Sequence, residues 1–201
     1  MVLPNQLTVL RIILTPVFFI LFISGEQHLI QVSLGIFIIA ALTDWYDGWL
    51  ARKFNYITEW GKFWDPMADK ILTSTAFIGF VIIGMLEWWM VSLIVLRDII
   101  ITLLRLYAEN RGRNFITSYY AKWKTLLQMI FLYYLLIVYT ATNTDSVFKG
   151  SELIFTYLLD GRLIYSLMLL ITLITVHSGY TYLYSNRKLI MELFFDTNKL
   201  V

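Results

Sequence analysis

Four aspartates lie close together in the chain, and their spacing is the feature that most clearly indicates chemistry. Asp44 and Asp47 are three residues apart, and Asp65 and Asp69 are four apart. On a helix either spacing places both side chains on one face. The connection between the two pairs is short, so antiparallel helices would bring all four carboxylates to one place. Such a cluster could bind metal ions and act on phosphate groups.

Carboxylates that share one place repel one another, because like charges at close range disfavour the ionised forms. A buried carboxylate without a partner is costlier still. Divalent cations resolve this conflict, and all-oxygen ligands favour hard ions such as Mg²⁺, Mn²⁺ or Ca²⁺. Two ions about 3.5–4 Å apart suit phosphoryl transfer. We therefore predict a divalent-metal site with room for two ions; solvated charges at a membrane surface are the alternative.

Small and basic residues accompany the acids. Gly48 and Ala51 each follow an aspartate by four residues, and together with Gly61 they leave space beside the carboxylates. A nucleobase or a phosphate could approach the backbone there. Arg52 would offer a two-pronged donor to phosphate oxygens.

The elements that carry these residues are predicted to be membrane helices. Of the 201 residues, 59% are hydrophobic and 15% are charged, whereas soluble domains contain about 25% charged residues. Crossing the hydrocarbon takes about 20 mostly apolar residues, and the third of six such segments is expected to begin near Pro66. We predict a single all-α domain over residues 1–201. Its six transmembrane helices are expected at Leu7–Ser24, Leu29–Trp49, Ile71–Leu86, Trp88–Ala108, Leu126–Thr142 and Leu163–Tyr184.

The distribution of basic residues predicts the orientation of these helices. The connections at Ser24–Leu29 and Gly84–Trp89 contain no Lys or Arg. Lys and Arg accumulate on the cytoplasmic side of membrane proteins, so both termini and the aspartates are expected to face the cytoplasm from a cell inner membrane. The basic residues on that side are Arg52, Lys53, Lys62, Lys70, Arg111, Arg113, Lys122, Lys124, Arg187 and Lys188.

The cysteine count and the net charge exclude or disfavour some kinds of site and partner. The chain contains no cysteine, which excludes disulfides and thiolate metal sites. The net charge of +2 is too small to indicate a nucleic-acid partner.

The aspartate segment reads Asp-x2-Asp-Gly-x2-Ala-Arg-x8-Gly-x3-Asp-x3-Asp. This pattern resembles, at every position, the signature of the CDP-alcohol phosphatidyltransferase family. The resemblance implies a six-helix membrane fold, usually homodimeric, that needs Mg²⁺ or Mn²⁺. It also implies transfer of a phosphatidyl group from CDP-diacylglycerol to an alcohol, with release of CMP. The first three aspartates would then be metal ligands, and Asp69 would be the base, near or on the metal as well.

Further patterns resemble the bacterial branch of this family that uses glycerol 3-phosphate as the acceptor. They are Pro4-Asn5-x-Leu7-Thr8-x2-Arg11, then Arg97-Asp98 followed by Thr102 and Arg105, and Lys122-x-Lys124-Thr125. At position 98 this branch more often has Glu, so Asp98 is a conservative departure. The expected substrates are therefore CDP-diacylglycerol and glycerol 3-phosphate, bound in contact with membrane lipids.

The resemblance assigns expected roles to residues outside the aspartates. Arg97 and Asp98 are expected to form a buried structural pair rather than to bind a substrate. A charge inside a membrane helix costs free energy, and such charges usually pair with one another. Arg11 has the alternative of reaching the lipid headgroups, and the lysines that of following the general cytoplasmic charge bias. For the acceptor phosphate the expected ligands are Arg105, Lys122, Lys124 and Arg11; for CDP-diacylglycerol they are Gly48, Ala51, Arg52, Gly61, Asn5 and Thr8.

Several other functions are compatible with part of this pattern. Cardiolipin synthases, phosphatidylserine synthases and inositol-phosphate-transferring relatives share the aspartate signature, so that signature does not choose among acceptors. A divalent-cation transporter would also use intramembrane acids, but near the midplane on discontinuous helices. Here the acids lie at helix ends, which favours an enzyme.

Overall fold

The computed structural model describes residues 3–54, 59–113, 115, 119–144 and 152–195. Within these residues the regular secondary structure is entirely helical, which confirms the predicted all-α class. The helices are α1 (Leu3–Phe22), α2 (Gln27–Phe54), α3 (Glu59–Ile82), α4 (Trp88–Asn110), α5 (Tyr119–Thr142), α6 (Glu152–Leu158), α7 (Gly161–Ser185) and α8 (Arg187–Phe195).

Helical stretches in the described part of the chain differ in how well they suit a membrane. Three are long and apolar enough to cross one, namely Gln27–Asp44, Tyr119–Thr142 and Glu152–Ser185. The apolar part of α1, Gln6–Phe22, is shorter. Helices α3 and α4 are interrupted by ionisable side chains, and neither is among these three stretches. They include Asp65, Asp69 and Lys70 in α3, and Arg97, Asp98 and Arg105 in α4.

The long helices form a bundle in which neighbours are joined by short turns. Residues 23–26 join α1 to α2, residues 83–87 join α3 to α4, and the helices of each pair pack on each other. Helix α1 also packs on α3, α4 and α5 pack on α7, and α2 packs on α5. Because short turns make each pair antiparallel, the starts of α1 and α3 and the ends of α2 and α4 meet at one end of the bundle. We call this the site end.

Two glycines end helices by adopting a backbone conformation that other residues avoid. Gly84 after α3 has φ 78° and Gly112 after α4 has φ 69°. In each case the next residue donates its N–H to a carbonyl five residues back, Met85 to Phe80 at 2.9 Å and Arg113 to Ala108 at 2.9 Å. This is the Schellman arrangement, which satisfies the last carbonyls of a helix.

Aromatic side chains fill the core away from the site end. Phe18, Phe22, Phe37 and Phe80 are fully buried, and the ring centroids of Phe22 and Phe80 are 5.0 Å apart. Helices α1 and α3 approach closely at Gly79, where an added Cβ would lie 2.8 Å from Phe22 Cδ1. This packing fixes α1 against α3, and it therefore fixes the position along the bundle of the α1 residues at the site end.

The predicted start of the third helix was wrong. Helix α3 begins at Glu59 rather than near Pro66, and α2 continues to Phe54, beyond the predicted end at Trp49. Apolar content locates the part of a helix that suits hydrocarbon, whereas these extra turns are polar and amphipathic. Pro66 lies inside α3, where it removes one backbone hydrogen bond without ending the helix. All four aspartates therefore lie on continuous helix.

Candidate active site

The aspartates of α2 and α3 come together at the site end. Asp47 is buried, with 3% of its surface exposed, and Asp44, Asp65 and Asp69 are half-buried. Asp44 lies near enough to Asp65 and Asp69 for their negative charges to act on it. The two helix ends thus gather the acids into one electrostatically coupled group.

Arg11 of α1 supplies positive charge to this group. Its side chain is fully buried. Its Nη1 lies 2.6 Å from Asp44 Oδ1, and its Nη2 donates to Asp47 Oδ2 at 2.9 Å. The Nε also donates to the Ala40 carbonyl at 3.3 Å. The structure therefore places Arg11 on the aspartates, whereas the sequence assigned it to the acceptor phosphate.

The two aspartates of α3 have partners of their own. Thr8 donates from Oγ1 to Asp65 Oδ1, and Lys70 Nζ lies 3.1 Å from Asp69 Oδ2. Each of the four carboxylates is thus in contact with a donor or a cation of the protein.

The donor chemistry of these acids suits a hard divalent cation, which prefers carboxylate oxygens. Their arrangement does not: in the described ranges no three acid or histidine side chains are grouped so that they could hold one ion. Arg11, Thr8 and Lys70 contact carboxylate oxygens of the kind that a metal would bind. A metal ion would therefore require these side chains to rearrange.

A cavity of about 820 Å³ opens beside the aspartates. Asp69 and Pro66 of α3 line it, together with side chains from α4, α5 and α7. Arg105 and Lys122, both expected at the acceptor phosphate, lie in its wall. The basic residues that line the cavity in the described part of the chain are Lys70, Arg97, Arg105 and Lys122.

A buried ion cluster adjoins this cavity. Asp98 Oδ1 accepts hydrogen bonds from Arg97 Nη1 at 3.0 Å and from Lys124 Nζ at 2.5 Å. Arg97 Nη2 also donates to Ser178 Oγ of α7 at 2.8 Å. The structure thus contains the predicted Arg97–Asp98 pair. Lys124, expected at the acceptor phosphate, is 1% exposed and is bound to Asp98 instead of lining the cavity.

Sequence reasoning missed part of the cavity wall on α4. Arg97, Ile101, Arg105 and Glu109 succeed one another at intervals of four residues, and all four line the cavity. That interval repeats on one helical face, so the spacing could have placed Arg97 and Glu109 beside Arg105. Arg105 Nε donates to Glu109 Oε1 at 3.0 Å.

The structure fully describes two of the six residues expected to bind CDP-diacylglycerol, Gly61 and Thr8. Gly61 is buried near the start of α3, and Thr8 is in contact with Asp65. The positions that lie outside the residues whose side chains the structure describes are Asn5, Gly48, Ala51 and Arg52.

Several proteins with assigned names are similar in sequence to this chain. A Bacillus subtilis protein named CDP-diacylglycerol–glycerol-3-phosphate 3-phosphatidyltransferase is 39% identical over 140 residues, which are 64% of this chain and 72% of that protein. A Salmonella typhimurium protein of the same name is 39% identical over 138 residues, 66% of this chain and 75% of that protein. A probable phosphatidylglycerophosphate synthase of Mycobacterium tuberculosis is 42% identical over 131 residues, 64% and 62% of the two chains.

A family profile covers most of the chain. The profile of the CDP-alcohol phosphatidyltransferases matches residues 1–176. That range contains the four aspartates, Arg11, and the cavity residues of α3, α4 and α5. The chain belongs to the CDP-alcohol phosphatidyltransferase family.

Proposed function

We propose that this enzyme transfers the phosphatidyl group of CDP-diacylglycerol to sn-glycerol 3-phosphate, giving phosphatidylglycerophosphate and CMP in phospholipid biosynthesis. Family membership supports the phosphatidyl transfer. The names of the B. subtilis and S. typhimurium relatives support the acceptor. The observation that carries the proposal is the cavity in which Asp69 lies beside Lys70, Arg97, Arg105 and Lys122.

The charge of the cavity favours an acceptor that bears a phosphate. Arg105 is more than half exposed, with 56% of its side chain accessible, so its guanidinium can turn toward a ligand. Arginine binds phosphate through two parallel hydrogen bonds, and lysine adds a point charge. Serine or inositol carries no phosphate that these cations could bind.

Asp69, which lines the cavity, is proposed to accept a proton from the acceptor. In the proposed reaction its carboxylate takes the proton of the sn-1 hydroxyl while that oxygen attacks the β-phosphorus of CDP-diacylglycerol. A new P–O bond forms, and the bond from the β-phosphorus to the bridging oxygen breaks. CMP leaves with that electron pair. Proton transfer of this kind contributes about 10²–10⁴-fold to rate.

The remaining site assignments belong to the same proposal. Asp44, Asp47, Asp65 and Asp69 are proposed to hold Mg²⁺ or Mn²⁺, with two ions in the full site, after their present side-chain partners rearrange. Such ions supply charge stabilisation to phosphoryl oxygens. The residues proposed to line the CDP-diacylglycerol side are Gly48, Ala51, Arg52, Gly61, Asn5 and Thr8.

The enzyme is proposed to act at the cytoplasmic face of the inner membrane. Helices α1 to α5 and α7 would cross the bilayer with both termini inside, and two copies of the chain would form a homodimer. The apolar stretches of α2, α5 and α6–α7 support membrane insertion. The basic residues near the site end support its cytoplasmic location, because Lys and Arg accumulate on that side.

Release of CMP from CDP-diacylglycerol tests this function. Purified enzyme with Mg²⁺ or Mn²⁺ is offered glycerol 3-phosphate, serine, inositol or phosphatidylglycerol in turn, and the lipid product is identified by mass. We expect turnover with glycerol 3-phosphate and little with the others. Turnover with serine or phosphatidylglycerol but not with glycerol 3-phosphate would refute the proposed acceptor.

A further inference from the structure

Arg11 is held between two aspartates that the proposed function gives to a metal. It contacts one oxygen of each, Oδ1 of Asp44 and Oδ2 of Asp47. Because its side chain is fully buried, water cannot balance its charge. A buried charge needs a close partner of opposite sign, so the two carboxylates and Arg11 stabilise one another.

The two halves of this contact differ in quality. Nη2 makes an aligned hydrogen bond to Asp47. Nη1 lies 2.6 Å from Asp44 Oδ1, and the Asp44 side chain is 45% exposed, whereas that of Asp47 is 4% exposed. The Asp44 half is therefore the one at which another cation of suitable size could replace the guanidinium. Asp44 is also half-buried rather than buried, so an ion could approach it from outside.

Helix α1 extends the same pattern to the other pair of acids. Thr8 is three residues before Arg11, hence on the same helical face, and it donates to Asp65. One face of α1 thus contacts carboxylates of both α2 and α3. In this state α1 provides the groups that keep the acids together in spite of their repulsion.

We propose that Arg11 is an internal counter-cation that competes with a divalent ion for Asp44 and Asp47. The inference rests on the metal site of the proposed function. A guanidinium and a divalent cation seek the same oxygens, and like charges this close raise the free energy of the state that holds both. Arg11 therefore keeps the metal-free protein folded and weakens metal binding.

Metal binding by Arg11 variants tests this competition. Full-length protein in detergent is stripped with EDTA, Mn²⁺ binding is followed by electron paramagnetic resonance of the free ion, and melting is recorded with and without Mn²⁺. We expect metal-free Arg11→Met to melt below wild type. It should bind Mn²⁺ on the order of tenfold more tightly and gain more thermal stability from the ion. Arg11→Lys, which can reach one carboxylate well, should be intermediate.

A matched control separates this effect from the loss of any buried cation. Lys124 is as buried as Arg11, but its partner Asp98 is outside the proposed metal set. Lys124→Met should therefore melt at a lower temperature while its affinity for Mn²⁺ stays at the wild-type value. If metal-free Arg11→Met does not fold, the Mn²⁺ affinity of Arg11→Lys is compared with that of wild type.

The outcomes distinguish the inference from the function on which it rests. Equal or weaker Mn²⁺ binding by both Arg11 variants, with wild-type binding intact, would overturn the competition and leave the metal site standing. If wild type binds no more Mn²⁺ than an Asp44→Asn, Asp47→Asn double variant, both the competition and the proposed metal site fall.

Discussion

Among individual residues, Asp69 differs from its three neighbours in what it faces. It lines the cavity, whereas Asp44, Asp47 and Asp65 contact Arg11 or Thr8. A base must lie within reach of the hydroxyl that it deprotonates. The position of Asp69 in the cavity wall therefore supports the role that the resemblance assigned to it.

Replacing Asp69 with asparagine keeps the size of the side chain and removes the base. We expect the rate of CMP release at saturating substrate to fall by about 10²–10⁴-fold, measured by steady-state kinetics. Asp160→Asn is the control, because Asp160 precedes α7 and makes no side-chain cap to that helix. Full activity in Asp69→Asn would rule out the proposed base.

Glu109 is expected to lower the affinity of the cavity for anions. It lines the cavity and holds Arg105 at 3.0 Å, so an incoming phosphate must compete with it. Glu109→Gln should lower the KM for glycerol 3-phosphate by about two- to fivefold, the size expected of an exposed ion pair, with kcat little changed. Glu152→Gln on α6 is the control. A raised KM in Glu109→Gln would contradict this role.

At the scale of the helices, the site depends on close approach of α7 to α4. An added Cβ at Gly179 of α7 would lie 3.0 Å from Arg97 Cγ, and the adjacent Ser178 accepts a hydrogen bond from Arg97. Helix α7 therefore sets the direction of a cavity arginine. A side chain at position 179 would push that arginine out of place.

Gly179→Leu should therefore raise the KM for glycerol 3-phosphate several-fold while the protein stays helical by circular dichroism. Gly35→Leu on α2 is a matched control, because a Cβ at Gly35 meets nothing within 4 Å. Kinetics that are the same in the two variants would show that Arg97 does not depend on α7.

The sequence predicts which side chains share a face of one helix better than it predicts which side chains of two helices meet. The three- and four-residue spacings put Asp44 with Asp47 and Asp65 with Asp69, because the period of a helix decides which side chains share a face. No such rule specifies which side chain of another helix lies opposite. The contacts of Arg11 with Asp47 and of Lys124 with Asp98 join residues 36 and 26 positions apart. They follow from tertiary packing.

At the scale of the whole molecule, the proposed topology opens the cavity at the cytoplasmic end of the bundle, with Arg97 near the middle of α4 as its deepest cation. Helices α3 and α4 carry three of the four cavity cations, Lys70, Arg97 and Arg105, and neither is among the stretches that are long and apolar enough to cross a membrane. Charged side chains inside membrane helices usually pair with one another or serve function, as the Arg97–Asp98–Lys124 cluster illustrates. The charges that make these helices atypical are therefore the ones that the site uses.

The topology is testable because the chain has no cysteine. Single cysteines at the exposed positions Ser24 and Glu87 should react with a membrane-impermeant maleimide added to intact spheroplasts. Cysteines at Arg113 and Lys188, also exposed, should react only after the membrane is permeabilised. The reverse pattern, or labelling of all four in intact spheroplasts, would contradict the proposed orientation.

The central claim is that the cations beside Asp69 recognise the phosphate of the acceptor. The direct measurement compares glycerol 3-phosphate with glycerol as acceptors for wild type and for the Arg105→Met, Lys122→Met double variant. We predict that wild type strongly prefers glycerol 3-phosphate and that the double variant raises its KM on the order of tenfold or more, with activity toward glycerol unchanged. A double variant with the wild-type KM, or a wild type that uses both acceptors equally, would contradict the account.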